Sequence, residues 1–272
     1  MESLINSIFE NLKNYSYKII NDSVKSIEIS TENMTNIEKI ISLLVLDDRK
    51  NVSTLGVRLE KNTEKYKSEI KRVKTMYEFD RLAKEGNYLA GVDEVGRGPL
   101  AGPIVAAAVI LDLDNIDDII LEINDSKLLS EAKRERLAKE IKKRAIAYCI
   151  SEKSNDEIDT QGLSYCNNQI FIDSCQGLNI NVGMVLSDGY LIKNYNGLNK
   201  AVIKGDRKSA SIACASIIAK VYRDNLMKEY DSVYTGYDFS NNVGYGTKKH
   251  LEGLKEFGLT KIHRKSFIKN LI

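Results

Sequence analysis

Residues 91–103 concentrate, in a short segment, the two residue types that restrict or free the backbone. Both prolines of the 272-residue sequence lie here, Pro99 and Pro103, with four of the seventeen glycines. Proline fixes φ and glycine permits positive φ, so this segment should form a specific turn that approaches another group closely. An apolar run flanks it on each side. We therefore predict two neighbouring strands joined by a glycine turn, with Asp93 and Glu94 near the tip of the first strand.

A phosphate-binding loop of the nucleotide-hydrolase type does not fit this turn. Its glycines have the spacing Gly-x-Gly-x-x-x-Gly, and no Gly-Lys-Ser/Thr sequence follows them. Pro99 also lacks the N–H that such a loop would use. An ordinary solvated strand end that carries two acids stays open as an alternative.

The cysteines and histidines argue against several kinds of catalytic site. The four cysteines are scattered without a Cys-x-x-Cys pair, and the two histidines are His250 and His263. We expect neither a zinc site nor a disulfide framework from this pattern. Any catalysis should therefore depend on carboxylates.

The charge balance limits the kinds of partner. The net charge is +2, from 40 basic and 38 acidic residues, so nucleic-acid binding would need a local basic patch. No segment approaches the ~18 consecutive apolar residues of a membrane span. The amino terminus lacks the basic region of a secretory signal. We expect a cytoplasmic protein that does not bind membranes, and nothing in the sequence demands more than a monomer.

The character of the sequence changes near residue 80. Residues 1–80 contain one glycine and no proline, and their apolar residues follow helical spacing from the start, at Leu4, Ile5, Ile8, Phe9 and Leu12. We predict a helical amino-terminal module with a charged linker helix over 1–80 and an α/β domain over 81–272. A merely stabilising extension with a solvated charged face is the alternative for the module.

Several local patterns predict individual elements. Thr35 to Glu38 is typical of a capping box, and Ser130 is placed to cap a helix. Periodicity predicts helices over 130–144, 163–176 and 209–224, and strands over 145–151, 182–187 and 201–204. A turn at 244–247 precedes a further helix, and a basic segment, 261–265, lies near the carboxyl end.

Three of the predicted strands end in acids: Asp93–Glu94, Asp188 and Asp206. Ligand sites in α/β sheets gather at strand ends. Four converging carboxylates would repel one another unless cations neutralised them, and Mg²⁺ prefers such oxygen ligands. Two ions ~4 Å apart can activate a water and stabilise the leaving oxygen of a phosphodiester. Spacing alone leaves both a metal site and unrelated strand ends open.

The string from Asp93 to Pro103, Asp-Glu-Val-Gly-Arg-Gly-Pro-Leu-Ala-Gly-Pro, resembles the signature of the ribonuclease HII family. The related ribonuclease HIII lacks the glycine-arginine-glycine pattern, which favours HII. Further blocks resemble those of the family in the same order, and the resemblance extends from Gly91 to Phe267: Asn124–Lys127, Leu186–Gly189, Lys204–Asp206, Ser211–Ala213, Ala219–Asp224 and Gly244–Thr247.

The resemblance implies a role for each matching residue. It implies four catalytic acids that bind two Mg²⁺ or Mn²⁺ ions: Asp93, Glu94, Asp188 and Asp206. It implies a turn whose backbone reads the ribonucleotide, and an aromatic residue at the RNA–DNA junction: Gly96, Arg97 and Gly98, and Tyr245. It also implies basic residues suited to phosphates, of which the last two could instead form a solvated helix end: Lys127, Lys204, Lys220 and Arg223.

The resemblance also implies a fold and a reaction. The fold class is α/β, a ribonuclease H-like mixed sheet flanked by helices, with a helical carboxyl-terminal part and a small all-α amino-terminal module. The reaction is hydrolysis of the RNA strand of RNA–DNA hybrids and incision 5′ of ribonucleotides in duplex DNA, leaving 3′-hydroxyl and 5′-phosphate ends. The alternatives are a non-catalytic hybrid-binding protein and a two-metal nuclease that cuts DNA.

Overall fold

The computed structural model describes residues 8–9, 11–115 and 118–269. Leu4 and Ile5, which carry part of the predicted helical pattern, lie outside these residues. The chain forms two compact units, Met1–Arg72 and Val73–Ile272. Within the described ranges, no helix is long and apolar enough to cross a bilayer.

The first unit is helical in its described residues. A 3-10 turn at Leu12–Asn14 precedes α1 (Tyr17–Lys25) and α2 (Met34–Val45), and α3 (Lys50–Ala83) begins in this unit. Residues three and four apart share a helix face, so the apolar spacing of the sequence gives each helix a buried side. These sides meet in one cluster, whose most deeply buried members are Ile20, Ile37, Leu44 and Val52.

The predicted capping box at Thr35–Glu38 is wrong. Helix α2 begins at Met34, and its N-cap residue is Asn33, which makes no side-chain cap hydrogen bond. The Asn33 amide instead closes the preceding loop, donating to Glu28 O (2.7 Å) and accepting from the Ser30 N–H (3.0 Å). Thr35 therefore lies one residue inside the helix, where a capping role is not open to it.

The second unit contains a mixed five-stranded sheet in the order β3-β2-β1-β4-β5. The strands are β1 (Leu89–Val95), β2 (Ile104–Ile110), β3 (Ala147–Lys153), β4 (Met184–Asp188) and β5 (Asn199–Val202). Strand β1 pairs antiparallel with β2 and parallel with β4, and β4 pairs parallel with β5. The first two strands are thus neighbours, as predicted, and the segment that joins them, residues 96–103, is the glycine turn.

Helices cover both faces of this sheet. Alternate residues of β2 point to opposite faces, so Val105, Ala107 and Val109 enter one apolar cluster and Ala106 and Ala108 enter another. Because both faces are buried, the strand is a continuous apolar run. The helices of this unit, besides the end of α3, are α4 (Glu131–Arg144), α5 (Asn155–Gln161), α6 (Leu163–Gln176), α7 (Ala210–Val233), α8 (Phe239–Asn242), α9 (Lys248–Phe257) and α10 (Lys265–Ile268).

Helix α7 packs directly on strand β1. A Cβ added at Gly91 of β1 would lie 2.3 Å from the Ile212 backbone nitrogen, so only glycine permits this approach. The first ten residues of α7 are all buried, as their alanine- and serine-rich composition predicts. Asp80 of α3 accepts a hydrogen bond from the Ser211 N–H (2.7 Å), and Ser209 caps the helix through the Ile212 N–H (3.1 Å).

The carboxyl-terminal part is helical, as expected. It shares an apolar cluster with the glycine turn, which contributes Leu100 beside Met227 and Phe239. The two histidines lie here, both fully buried, and their Nε2 atoms are hydrogen-bonded at 3.0 Å. Nδ1 of His250 bonds to the carbonyl oxygen of Tyr245 at 2.9 Å, which anchors the loop that carries this tyrosine.

Candidate active site at the ends of strands β1 and β4

Asp93 and Asp188 lie side by side at the same end of the sheet. The parallel register pairs Val92 of β1 with Ser187 of β4, and the next residue of each strand is the aspartate. Asp93 is 6% exposed. Burial raises the pKa of its carboxyl well above the ordinary value, and the charges of Glu94 and Asp188 raise it further. The parallel pairing of two strands distant in the sequence thus brings Asp93 and Asp188 together.

Asp206 reaches this edge by a turn and does not end a strand, contrary to the prediction. Strand β5 stops at Val202, and the chain then reverses at Lys204, whose φ is +54°. A 3-10 turn over Gly205–Arg207 follows, and the Gly205 N–H donates to Oδ1 of Asp188 (2.6 Å). Burial raises the pKa of Asp206, and the charges of Asp125 and Asp188 add to this effect.

Glu94 completes the acidic group. Burial raises the pKa of its carboxyl, and the guanidinium of Arg97, 3.6 Å from Oε1, opposes that rise. Its other oxygen, Oε2, is buried and has no hydrogen-bond partner among the described residues. A buried carboxylate oxygen without a partner is costly, and a cation would relieve that cost.

The chemistry of these donors fits a hard divalent cation. All four side chains offer carboxylate oxygens, the ligands that Mg²⁺ and Mn²⁺ prefer. In the described part of the chain, no three acidic, histidine or cysteine side chains form a ready-made metal cage. The fit therefore rests on the donor type, the raised pKa values of Asp93, Glu94 and Asp206, and the unpaired oxygen of Glu94.

Arg97 has a partner that the sequence analysis missed. Its guanidinium carbon lies 4.5 Å from the ring centroid of Tyr190, a cation–π contact. Tyr190 follows Asp188 by two residues and is half exposed. The only available signal was an aromatic residue directly after the Asp188–Gly189 block. The contact means that the Arg97 side chain is held between Glu94 and Tyr190.

The glycine turn and Tyr245 meet at the surface. A Cβ added at Gly98 would lie 3.3 Å from Cε1 of Tyr245, so the tyrosine ring lies against this glycine. Tyr245 is 47% exposed, which leaves part of its ring open to solvent. Two segments almost 150 residues apart in sequence therefore form one surface beside the acids.

The predicted basic residues differ in their placement. Lys127 and Lys204 are exposed, and the charge of Lys127 acts on Asp206, which places it beside the acidic edge. Lys220 is bonded to Asp224, with its Nζ 2.7 Å from Oδ1, and both side chains are mostly buried. The structure thus leaves two of the lysines open to solvent and pairs the third.

Arg223 contradicts the sequence-based expectation. It is fully buried, and its guanidinium donates to the carbonyl oxygens of Pro103, Ala101 and Val243. It is therefore neither a phosphate ligand nor a solvated helix end. Arg264, part of the predicted basic segment, is also fully buried and donates to carbonyls of the glycine turn.

Two family models match the chain. One, described as "Ribonuclease HII", covers residues 90–270, and the other, "Ribonuclease HII N-terminal domain", covers residues 23–84. The chain belongs to the ribonuclease HII family. It is accordingly a metal-dependent endonuclease of the ribonuclease H type, a hydrolase that acts on RNA–DNA hybrids.

Named relatives agree over nearly the whole length. The ribonuclease HII of Clostridium perfringens strain SM101 is 60% identical over 272 residues, which is 100% of each chain. That of Clostridium acetobutylicum is 51% identical over 256 residues, 92% of this chain and 100% of the relative.

Two solved structures of archaeal enzymes share the fold. The ribonuclease H2 of Pyrococcus horikoshii is 26% identical, with a TM-score of 0.58 over 66% of this chain and 93% of that one. The ribonuclease HII of Archaeoglobus fulgidus, solved in complex with PCNA, is 26% identical, with a TM-score of 0.57 over 65% and 94%. The predicted ribonuclease H-like mixed sheet is thus confirmed.

Proposed function

We propose that this ribonuclease HII cleaves the phosphodiester on the 5′ side of a ribonucleotide at the edge formed by Asp93, Glu94, Asp188 and Asp206. Its substrates are RNA–DNA hybrids and duplex DNA with an embedded ribonucleotide, and its products carry 3′-hydroxyl and 5′-phosphate ends. The observation that carries this proposal is the meeting of buried acids and the glycine turn at one end of strand β1.

The four acids would hold the metal ions. Asp93, Glu94 and Asp188 are electrostatically linked to one another, and Asp188 is linked to Asp206. A bound pair of Mg²⁺ or Mn²⁺ ions would supply an activated water and stabilise the leaving 3′-oxygen. The chain's part is to hold carboxylates in a partly buried place, where their charge is poorly solvated and a cation is strongly attracted.

The glycine turn would recognise the sugar. The N–H groups of Gly96, Arg97 and Gly98 donate to no other residue in the described part of the chain. The 2′-hydroxyl is what distinguishes RNA from DNA at a given sugar, and it can accept from such N–H groups. Gly98 is exposed and has no side chain, so a sugar can approach its backbone closely.

Tyr245 and two lysines would complete the substrate surface. The partly exposed ring of Tyr245 lies against Gly98, where it can stack on the nucleotide that follows the ribonucleotide. Lys127 and Lys204 would contact phosphates, and their exposure close to Asp206 in space or sequence supports this role. Lys220 could do so only by leaving Asp224.

The setting follows from the substrates. An enzyme that removes RNA strands and single ribonucleotides from duplex DNA would act in DNA replication and repair. We place this enzyme in the cytoplasm. We propose that it acts as a monomer, which sedimentation at several concentrations would test.

Cleavage mapping on a duplex with one ribonucleotide tests the proposed function. With Mg²⁺ or Mn²⁺, we expect a single cut 5′ of the ribonucleotide, cutting throughout the RNA strand of a hybrid, and no cut in all-DNA duplex. With EDTA, we expect binding without cleavage. Binding without cleavage in either metal would indicate a non-catalytic hybrid-binding protein, and cutting of all-DNA duplex would indicate a DNA nuclease.

A further inference from the structure

Two fully buried arginines lie beneath the glycine turn. Arg264 donates to the carbonyl oxygens of Gly96 (2.6 Å), Arg97 (3.0 Å) and Gly102 (2.9 Å). Arg223 donates to those of Pro103 (2.9 Å), Ala101 (3.1 Å) and Val243 (2.9 Å). Five carbonyls of residues 96–103 are therefore held by two guanidinium groups that come from different helical segments of the carboxyl-terminal part.

These bonds determine which way the N–H groups of the turn face. In a trans peptide, the C=O of one residue and the N–H of the next point in opposite directions. Because Arg264 draws the carbonyls of Gly96 and Arg97 inward, the N–H groups of Arg97 and Gly98 must face away from it. These N–H groups have no partner among the described residues, whereas the Leu100 and Gly102 N–H groups are bonded to Gly244 and Ile262.

The fit between the turn and the arginines is close. Gly96 has a φ of +93°, and a Cβ added there would lie 2.3 Å from Nε of Arg223. The first glycine of the motif is thus required by the arginine beneath it. Consecutive outward N–H groups of this kind form a concave surface that binds anionic or other acceptor oxygens.

The charges of both arginines are only partly balanced in the described protein: Asp224 acts on Arg223 and Asp159 acts on Arg264, without an ion pair in either case. Neither guanidinium forms an ion pair with a carboxylate of residues 8–9, 11–115 or 118–269. Burial lowers the pKa of Arg223 to about 10 and that of Arg264 to about 9, so both stay protonated at neutral pH. Two buried positive charges without a direct ion pair, behind free N–H groups, favour an anionic ligand on the outer side.

We propose that Arg223 and Arg264 are positioning residues for ribonucleotide recognition: they hold the turn so that the N–H groups of Arg97 and Gly98 meet the substrate. This inference rests on the proposed function, since the substrate is the ligand of those N–H groups. Neither arginine touches the substrate. A purely structural role, in which they only stabilise the fold, is the alternative.

Lysine substitution separates the two roles. Lysine keeps the positive charge, but its single ammonium cannot reproduce the planar fork that spans several carbonyls. The test variants are R264K, R264M and R223K. The matched control is R144K, because the Arg144 guanidinium also donates to more than one acceptor, the Glu140 carboxylate and the Asp118 carbonyl, but makes no bond to the turn.

The first measurement is the kinetics on a single-ribonucleotide duplex, with binding to all-DNA duplex and Tm as companions. We expect R264K and R223K to lower kcat by roughly 30-fold, a loss typical of misplaced transition-state contacts. Their Kd for all-DNA duplex should stay within about threefold of the wild type, and R144K should change neither. Equal losses in cleavage and binding, or wild-type kcat in R264K, would overturn the inference.

The second measurement does not depend on turnover. In EDTA, binding of the single-ribonucleotide duplex should shift the amide NMR signals of Arg97 and Gly98 in the wild type, because their N–H groups gain an acceptor. R264K should lack these shifts, while the Leu100 signal, from an N–H already bonded to Gly244, should behave alike in both. The same shifts in R264K would refute the inference.

The outcomes separate this inference from the proposed function. If the wild type fails to cut at the ribonucleotide, the proposed function fails, while the NMR comparison still decides whether the arginines orient the turn. If R264M does not fold, R264K and R223K carry the test, since they keep the buried charge.

Discussion

Two glycines of one motif, Gly96 and Gly98, serve different purposes. Gly96 is buried, has a φ of +93° and leaves no room for a Cβ beside Arg223. Gly98 is exposed, has no such backbone requirement, and a Cβ there would meet only the Tyr245 ring at 3.3 Å. At the residue scale, the first glycine therefore serves the fold, and the second leaves space for the substrate.

Gly96→Ala and Gly98→Ala should consequently fail in different ways. Positive φ strain and the clash with Arg223 should make Gly96→Ala less stable by about 2 kcal/mol or more, lowering Tm by roughly 5 °C. Gly98→Ala should keep its Tm and lose ribonucleotide cleavage while binding all-DNA duplex normally. Thermal unfolding and cleavage assays on both variants check this, and a matching fall of Tm in Gly98→Ala would contradict it.

Asp188→Asn removes the carboxylate charge at the centre of the acidic group with almost no change in volume. We expect the fold to persist and kcat with Mg²⁺ to fall at least about 100-fold, since metal-ion stabilisation supplies several kcal/mol. Asp22→Asn, an exposed position on α1, is the control and should have no effect. A near wild-type rate in Asp188→Asn would show that the carboxylate is not catalytic.

Tyr245 should act through its ring. Tyr245→Phe should keep most of its activity, because phenylalanine can still stack. Tyr245→Ala should lose roughly tenfold, as expected for one lost stacking contact, and lose more on a single embedded ribonucleotide than on a long hybrid. Parallel losses on both substrates together with a lower Tm would show that the tyrosine is only structural.

At the scale of elements, helix α7 organises the site. Its first half is buried against β1, its amino terminus is held by Asp80 and Ser209, and its middle supplies Arg223 to the glycine turn. One helix therefore links the end of α3, the strand that carries Asp93 and the segment that would read the sugar. A shift of α7 would therefore disturb the end of α3, strand β1 and the glycine turn together.

Asp80 gives this element a pH dependence that can be measured. Burial raises its pKa from 3.8 to about 6, although hydrogen bonds from the start of α7 oppose the rise. The folded state therefore binds more protons than the unfolded state between these values, so this group's contribution to stability falls as pH rises from about 4 to 6. The effect amounts to roughly 3 kcal/mol.

Asp80→Asn should remove that dependence, because the asparagine oxygen can still accept from the Ser211 N–H but does not titrate. Urea unfolding at pH 4.5 and 7 checks this: relative to the variant, the wild type should lose stability at the higher pH. Stability curves of the two proteins that run parallel across this range would contradict the assignment.

At the scale of the whole molecule, the catalytic unit and the helical unit are each compact. The predicted division into 1–80 and 81–272 stays a prediction, and in the structure the boundary between units falls within α3, between Arg72 and Val73. The acids that would bind the metal lie on elements far apart in the chain: the end of β1, the end of β4 and the turn after β5. Metal binding should therefore stabilise the folded catalytic unit as a whole.

Mg²⁺ should raise the Tm of the protein. A ligand at ten times its Kd that binds only the folded state adds about 1.4 kcal/mol, and cations also relieve the repulsion among the acids. Differential scanning calorimetry with Mg²⁺, against NaCl of equal ionic strength, measures the effect. Asp188→Asn should show little or no shift, and an equal shift in that variant would mean that the ion binds elsewhere.

Some features could be predicted because they depend on neighbours in the chain. Helix α6 has the bounds that periodicity predicts, Leu163–Gln176, and the two strands around the glycine turn pair as expected. Other features differ from the prediction because backbone hydrogen bonds between elements decide them. Ser130 is the N-cap of α4 without a side-chain bond, and β3 lies at 147–153 because its register with β2 extends to Lys153.

By itself, the sequence determined the alternation of strands and helices, the glycine turn and the positions of the acids, because periodicity, φ preference and side-chain chemistry act over a few residues. Only the tertiary structure decided that Asp93 meets Asp188, that Asp206 arrives by a left-handed turn, and that Arg223 and Arg264 are buried. The acceptors of these arginines are backbone carbonyls, which every residue carries and no sequence pattern distinguishes. Their roles follow from which distant segments pack together, and that is a property of the whole fold.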